Sequence, residues 1–356
     1  MTNLDDLAEV RRIDQSNFAG LIESFPEQLE KGSRIASVFA LPRWKVSAIS
    51  NIVLAGLGGS AIAAELVKSY LNYQLKIPFL IVRHYQLPEF VSPKSLVIVS
   101  SYSGNTEETL SAYQKAKQRK AKIVSIASGG KLSQFCQRDK LPQVAIPTGI
   151  PPRAALGYSF VSLLVLLGRM RLVQLDLPEI QRAIRFLKNF RQNFRPTTFG
   201  SNNLAKSVAK RLYGRIPVIY AGEDYFGAVA LRWKQQICEN AKVLSFCNAF
   251  PEFNHNELVG WEKLQDFREK LIVVMLRDKA DHKRIQARMQ IVDQILKKKT
   301  VEIIQVESRG KDVLTRILSL VHLGDWVSYY LALLNEVDPT PVEVIDYLKK
   351  SLASPR

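Results

Sequence analysis

Residues 51–66, NIVLAGLGGSAIAAEL, read as a strand, a glycine turn and a small-residue helix in immediate succession. Residues 51–54 form a short apolar run, and 61–71 carry the spacing of an amphipathic helix. Working outward, apolar strands are expected at 79–82, 96–100, 122–126 and 143–146. Helices are expected at 106–117 and 131–138, and a long apolar helix at 157–169 closes the unit. Strands that alternate with helices imply parallel pairing and a sheet covered on both faces. Upstream, residues 1–45 look helical, with Phe18, Leu21, Ile22 and Phe25 at helical spacing. Downstream the opening pattern returns as IPVIYAGEDYFGAVAL, residues 216–231. Strands at 218–220, 243–246, 271–276 and 301–306 follow, with helices at 228–239, 283–298 and 313–334. The reading is an α/β protein of two similar halves: a helical segment 1–45, a first unit 46–170, a helical linker 171–213 and a second unit 214–356.

The chain has 356 residues and is 47% apolar, enough for a sizeable core and, on length, about two domains. The longest apolar stretch noted, 160–167, is about half the ~18–20 residues of a membrane span, so it reads as a buried helix. The start, MTNLDDLAEV, is acidic and lacks the basic-then-apolar layout of a signal peptide. Cys136, Cys238 and Cys247 fit neither a disulfide framework nor a metal spacing. A reduced, cytoplasmic compartment without membrane association is the expectation. The formal charge of +17 raises nucleic acid or an anionic small substrate as partner. The cations are scattered over helix-like segments such as 114–122 and 278–299, with no compact arm and no interleaved aromatics. That pattern disfavours nucleic acid.

Ligands of open parallel sheets bind beyond the carboxyl ends of the strands. Two stretches sit there. In GLGGSAIAAE (56–65), Gly56, Gly58 and Gly59 let the backbone approach a ligand, and Ser60 opens a helix. A dinucleotide fingerprint would place its third glycine where Ala61 stands, which only the looser form of that motif allows. A tight strand-to-helix turn accounts for the glycines equally well. In SSYSGNTEETL (100–110), Ser101, Ser103 and Thr106 gather at a helix N-terminus, where free N–H groups and the helix dipole favour an anion. Such a site holds a phosphate without a lysine. A cap by Thr106 or Asn105 would explain one hydroxyl, not three.

Three further stretches carry chemistry. In GIPPRAALGYS (149–159), Arg153 is either a guanidinium held over a site to stabilise developing negative charge or a salt-bridged surface arginine. In ICENAK (237–242), Glu239 ends a helix whose Leu231, Trp233 and Ile237 are buried types. A carboxylate in an apolar wall makes a good base, and the alternative is a solvated helix-end glutamate. In FPEFNHNELVGW (250–261), His255 lies between two asparagines, near Glu252 and Glu257. It is the best-placed of four histidines for proton transfer near neutral pH, unless it is a structural loop residue. An H-x-E with no second histidine or cysteine in reach makes a poor metal site. No metal and no cofactor is expected.

Together GLGGSAIAAE, SSYSGNTEET, PPRAALGYS, ICENAK, FNHNE and DPTPVEVIDYLKK (338–350) resemble the sugar isomerase (SIS) family, specifically its bifunctional phosphoglucose/phosphomannose isomerases. The likeness runs from about residue 50 onward and leaves the first 45 residues unmatched. It implies two SIS subdomains, each a parallel five-stranded sheet flanked by helices. It implies a homodimer in which His255 crosses the interface into the partner's site. By position, Ser101, Ser103 and Thr106 would bind phosphate, and Gly58, Gly59 and Ser60 would meet the sugar. Arg153 would stand beside an enediolate and Glu239 would be the base. His255 would open the ring, assisted by Lys349, which Lys350 adjoins. Thr340 is a candidate for shaping the room that either C2 epimer needs. The implied reaction interconverts glucose 6-phosphate and mannose 6-phosphate with fructose 6-phosphate through a cis-enediol, without a metal. The alternatives are a phosphosugar-sensing regulator that does not turn over its ligand and an aminosugar-phosphate isomerase. Arg153, Glu239 and His255 together favour catalysis over sensing.

Overall fold

The computed structural model describes residues 2–264 and 267–353. Helices α1 (Leu7–Ile13), α2 (Phe18–Glu23) and α3 (Phe25–Val38) precede the first sheet. The first half then runs β1 (Asn51–Ala55), α4 (Gly58–Tyr70), β2 (Phe79–Val82), β3 (Ser95–Ser101), α5 (Glu107–Gln118), β4 (Lys122–Ala127), α6 (Gly130–Arg138), β5 (Gln143–Ala145) and α7 (Leu156–Arg169). Its five strands are all parallel, in the order β2-β1-β3-β4-β5. Helices α8 (Leu177–Phe190) and α9 (Leu204–Leu212) form the passage to the second half.

The second half contains β6 (Ile216–Gly222), α10 (Glu223–Ala241), β7 (Phe246–Phe250), the short α11 (Glu257–Gly260), β8 (Leu271–Arg277), α12 (Lys283–Lys298), β9 (Glu302–Glu307) and α13 (Val313–Leu334). Among the described residues this sheet has four parallel strands, β7-β6-β8-β9, not the expected five. The reason is local. After β9 the chain turns through five residues into α13, whose N-terminus Asp312 caps by accepting from the Thr315 N–H at 2.9 Å. The place that α6 and β5 take in the first half is skipped. Strand β7 also begins at Phe246 and not at 243. Helix α10 runs on to Ala241 and stops at Lys242 in the left-handed region, φ 58°, so 243–245 are spent reversing the chain. Helix α14 (Glu343–Ala353) follows α13.

Alternation along the strands divides the interior. On the first sheet Ile52, Leu54, Leu96 and Ile98 face one core, while Val53, Ala55, Val97 and Val99 face another covered by α5 and α6. On the second sheet Ile219, Ala221, Val274 and Ile304 join that first core, and Val218, Tyr220 and Val273 face α12. One continuous core therefore lies between the two sheets, filled by helices α3, α4, α7, α8, α10 and α13. Helix α13 is its centre. At 22 residues it is longer than the 160–167 run and is apolar enough to cross a membrane, yet its apolar stretch is wholly buried in this protein interior. A helix hydrophobic all round is what such a position requires.

Candidate active site

Strand β3 ends at Ser101, and the chain turns into α5 over Tyr102–Asn105. The Ser101 and Thr106 hydroxyls lie 3.0 Å apart, and the Gly104 N–H donates to Ser101 Oγ at 3.1 Å. Ser103 Oγ accepts the Asn105 N–H at 3.3 Å and is exposed. Thr106 occupies the N-cap position, but its side chain accepts no helix N–H. Capping therefore does not account for these hydroxyls, and among the described residues the first-turn amides of α5 have no side-chain partner. Gly104, at φ 69°, allows the turn to pack on the neighbouring Gly129–Gly130 loop, where a Cβ would overlap the Gly129 carbonyl. The Lys131 N–H donates to Asn105 Oδ1 at 3.0 Å and fastens the two loops.

The glycine turn is the common neighbour of the other parts. A Cβ on Gly56 would stand 2.8 Å from the Ser100 carbonyl oxygen, and one on Gly59 2.7 Å from that of Pro152. Close packing alone thus requires glycine at both places. Gly58 is different: its φ is 49°, and open space surrounds its missing Cβ. It is exposed at the uncapped start of α4, two residues before the buried Ser60.

Arg153, in the turn Pro152–Ala154, is 5% exposed and is no surface arginine. Its Nε donates to Asn240 Oδ1 at 2.7 Å, and Nη2 donates to the carbonyls of Pro339 (2.6 Å) and Thr340 (2.7 Å). Its Nη1 lies 3.8 Å from Glu239 Oε2, and no protein acceptor among the described residues takes a hydrogen bond from it. The ring of Phe18 lies under the guanidinium, 5.3 Å from centroid to Cζ. Burial pulls the Arg153 pKa below its ordinary value, and the Glu239 carboxylate opposes that pull.

Glu239 occupies the last turn of α10 with 32% of its side chain exposed. Trp233 and Ile237 are buried as read from the sequence, but Leu231 is half-buried and Glu239 itself faces Arg153. Its setting is a cation, not the apolar wall expected. Lys242 donates to the Glu239 carbonyl at 2.6 Å and to that of Pro341 at 2.7 Å. Burial, then the Arg153 charge, holds the Lys242 pKa below the usual lysine value. Thr340 Oγ1 is buried beside this group without a hydrogen-bond partner.

His255 and Lys349 stand apart. His255 ends a turn after β7 and is exposed, and no hydrogen bond or ion pair holds its ring. Its acidic neighbours are engaged elsewhere: Glu257 accepts from Tyr220 Oη and from Asn248 Nδ2, and Glu252 accepts from Asn256. Lys349 lies on the exposed α14, from which Asp346 acts electrostatically on Arg153. Within this chain no hydrogen bond or ion pair joins His255 or Lys349 to Glu239. Among the described residues no group of three histidine, cysteine or acidic side chains could hold a metal. Sequence reasoning gave no role to Asn240, Lys242, Phe18 or the 339–341 carbonyls. The first two were inside ICENAK, one and three residues from Glu239. Phe18 carried no signal beyond an apolar helical spacing.

Comparison with known proteins adds the family to which the chain is similar. The SIS domain model matches residues 46–167, and the model of the bacterial phospho-glucose isomerase C-terminal SIS domain matches 201–352. The chain is 42% identical to a bifunctional phosphoglucose/phosphomannose isomerase of Caldicellulosiruptor bescii over 93% of this chain and 98% of that one. It is 36% identical to the Aquifex aeolicus protein of the same description, over 85% and 90% of the two chains. Among solved structures, a hypothetical protein from Thermus thermophilus superposes with a TM-score of 0.69 at 18% identity, covering 94% of this chain and 90% of that one. That last likeness speaks to the fold alone.

Proposed function

This chain belongs to the bifunctional phosphoglucose/phosphomannose isomerases of the SIS family, and on that premise we infer that it interconverts glucose 6-phosphate and mannose 6-phosphate with fructose 6-phosphate. The observation that carries the assignment of roles is the Arg153–Glu239 pair, 3.8 Å apart, beside the glycine turn. A base and a fixed cation in contact are what proton transfer through an enediolate needs.

The hexose phosphate group binds at Ser101, Ser103 and Thr106 and at the uncapped amides of α5. Binding there is remote from the reacting carbons and orients them. Gly58, Gly59 and Ser60 meet the sugar, and the open space around Gly58 supports a ligand at that point. His255 and Lys349 open the pyranose ring by moving the C1 hydroxyl proton to the ring oxygen. Glu239 then takes the C2 proton and returns it to C1, while the hydroxyl proton passes from O2 to O1. Nη1 of Arg153 stabilises the enediolate, a charge larger in the transition state than in the ground state. The unpartnered Thr340 hydroxyl supports a place for it beside C2. The protein works as a homodimer, with His255 supplied by the partner. The support is that His255 is detached from Glu239 in this chain and that α14 exposes Val344, Tyr347, Leu348 and Leu352.

The test is fructose 6-phosphate formation from each aldose phosphate in the presence of a chelator. Turnover of neither overturns the isomerase reading, and activity restored only by added metal overturns the metal-free route. Glu239→Gln is expected to bind substrate but lose at least about 100-fold in kcat. An active Glu239→Gln protein would remove Glu239 from the role of base.

A further inference from the structure

We propose that the N-terminal helical segment belongs to the catalytic apparatus: Phe18, fixed by Asp14, is a positioning residue that covers and aligns the Arg153 guanidinium. This rests on the isomerase reading above, in which Arg153 faces the enediolate.

The hydrogen bonds of Arg153 lie at the edge of its guanidinium plane. Nε reaches Asn240, and Nη2 reaches two backbone carbonyls. These bonds fix where the fork points within its plane. They do nothing for its two faces, where water could stand and screen the charge. The Arg153 Cζ lies over the Phe18 ring, 5.3 Å from its centroid, and the Phe18 side chain is fully buried. A desolvated aromatic face attracts the cation and resists tilting of the plane. A dry guanidinium also acts more strongly on a charge developing beside it.

The ring is itself held at its backbone. Phe18 is the first residue of α2, and Asp14 Oδ1 accepts its N–H at 2.6 Å. Asp14 Oδ2 accepts the Ala19 N–H at 3.0 Å and the Tyr329 hydroxyl at 3.1 Å. Asp14 is 9% exposed. A buried carboxylate with three donors thus ties the start of α2 to α13 in the central core. A second tie holds the segment further upstream: the fully buried Lys206 donates to Asp5 at 2.8 Å. The N-terminal segment is therefore tied to the core at Asp5 and at Asp14, and it brings a ring under the arginine.

The test is a series of mono-, di- and trifluorophenylalanine at position 18, which keeps the ring's shape and drains its negative face. kcat is expected to fall stepwise, by about tenfold across the series, while KM stays within about twofold because the phosphate grip is elsewhere. A packing role alone predicts an unchanged kcat. A flat series in an active protein overturns the role of Phe18, whereas a parent protein inactive on both aldose phosphates overturns the isomerase reading itself. Asp14→Ala should show the same fall in kcat at constant KM, and Asp14→Asn, which keeps an acceptor for the Phe18 N–H, should recover most of it. Asp14→Ala protein that is less stable but fully active per folded molecule overturns the role of Asp14.

Discussion

The two halves of the molecule present the same strand ends and treat them in opposite ways. Beyond β1 and β3 stand glycines and small hydroxyls at the starts of α4 and α5. Beyond β6 and β8 the same space is filled by the protein itself. Asp278 accepts from Arg316 Nε at 2.8 Å and from the Ser308 hydroxyl, with Arg316 and Asp278 both buried. Asp281 reaches over the end of β6, so close that a Cβ on Gly222 would stand 2.6 Å from its Oδ1. A repeated architecture supplies the same crevice twice, and side chains leave one open while they fill the other.

The largest effect should come from unsealing the second crevice. Asp278→Ala leaves Arg316 buried without its carboxylate, a loss of about 3–5 kcal/mol of stability. Urea denaturation measures it. Loss of less than about 1 kcal/mol would mean that the crevice is not sealed by this pair. In protein that remains folded, KM should not change.

Damage to the open crevice should read out in the reverse order. Gly104→Ala asks an L-residue to adopt a φ of 69° and drives a methyl into the Gly129 carbonyl. The hydroxyl loop must shift, so KM for the hexose phosphate is expected to rise at least about tenfold with a smaller loss of stability. An unchanged KM would detach this loop from phosphate binding.

The smallest effect sharpens the contrast through pH. Burial pushes the Asp281 pKa from 3.8 to about 6. Its ionised form is disfavoured in the folded protein, so this residue's contribution to stability is full below about pH 4 and is lost as pH rises through 6. The gap bounds the effect at ~3 kcal/mol. Asp281→Asn should recover part of it, about 1 kcal/mol at pH 7, and should flatten the stability profile between pH 4 and 6. A steeper profile in the variant would place the titration elsewhere.

Much of this was legible in the sequence because period and punctuation are local. The strands at 79–82 and the helices at 283–298 and 313–334 coincide with the structure, since each is bounded by a clear change of pattern. Strand β7 was misplaced because its own residues, FCNAF, lie on an edge where Phe246 is exposed and Asn248 is bonded to Glu257. The fifth strand of the second sheet was carried over from a family resemblance, and nothing in residues 308–312 opposed it. In the site, Arg153 and Glu239 were legible as residues, but their contact was not. Two stretches that meet only through the packing of the halves leave no spacing to read. The same holds for Phe18, whose helical spacing marks it as core and is silent about what lies above its ring. In the sequence His322 lacks the flanking asparagines that single out His255. The structure buries it between Phe25 and Trp326, with its pKa pushed down to about 3 by burial.

The continuous core between the sheets gives the molecule a single fate. Because α13 and its neighbours serve both sheets, neither half can expose its inner face without stripping the other. A protease waiting for a loosened segment finds both sheets open or neither. A ligand gripping the first half lowers the folded state of the whole, so its protection reaches strands it never touches. The sealed half is thereby guarded by any ligand that binds in the open one.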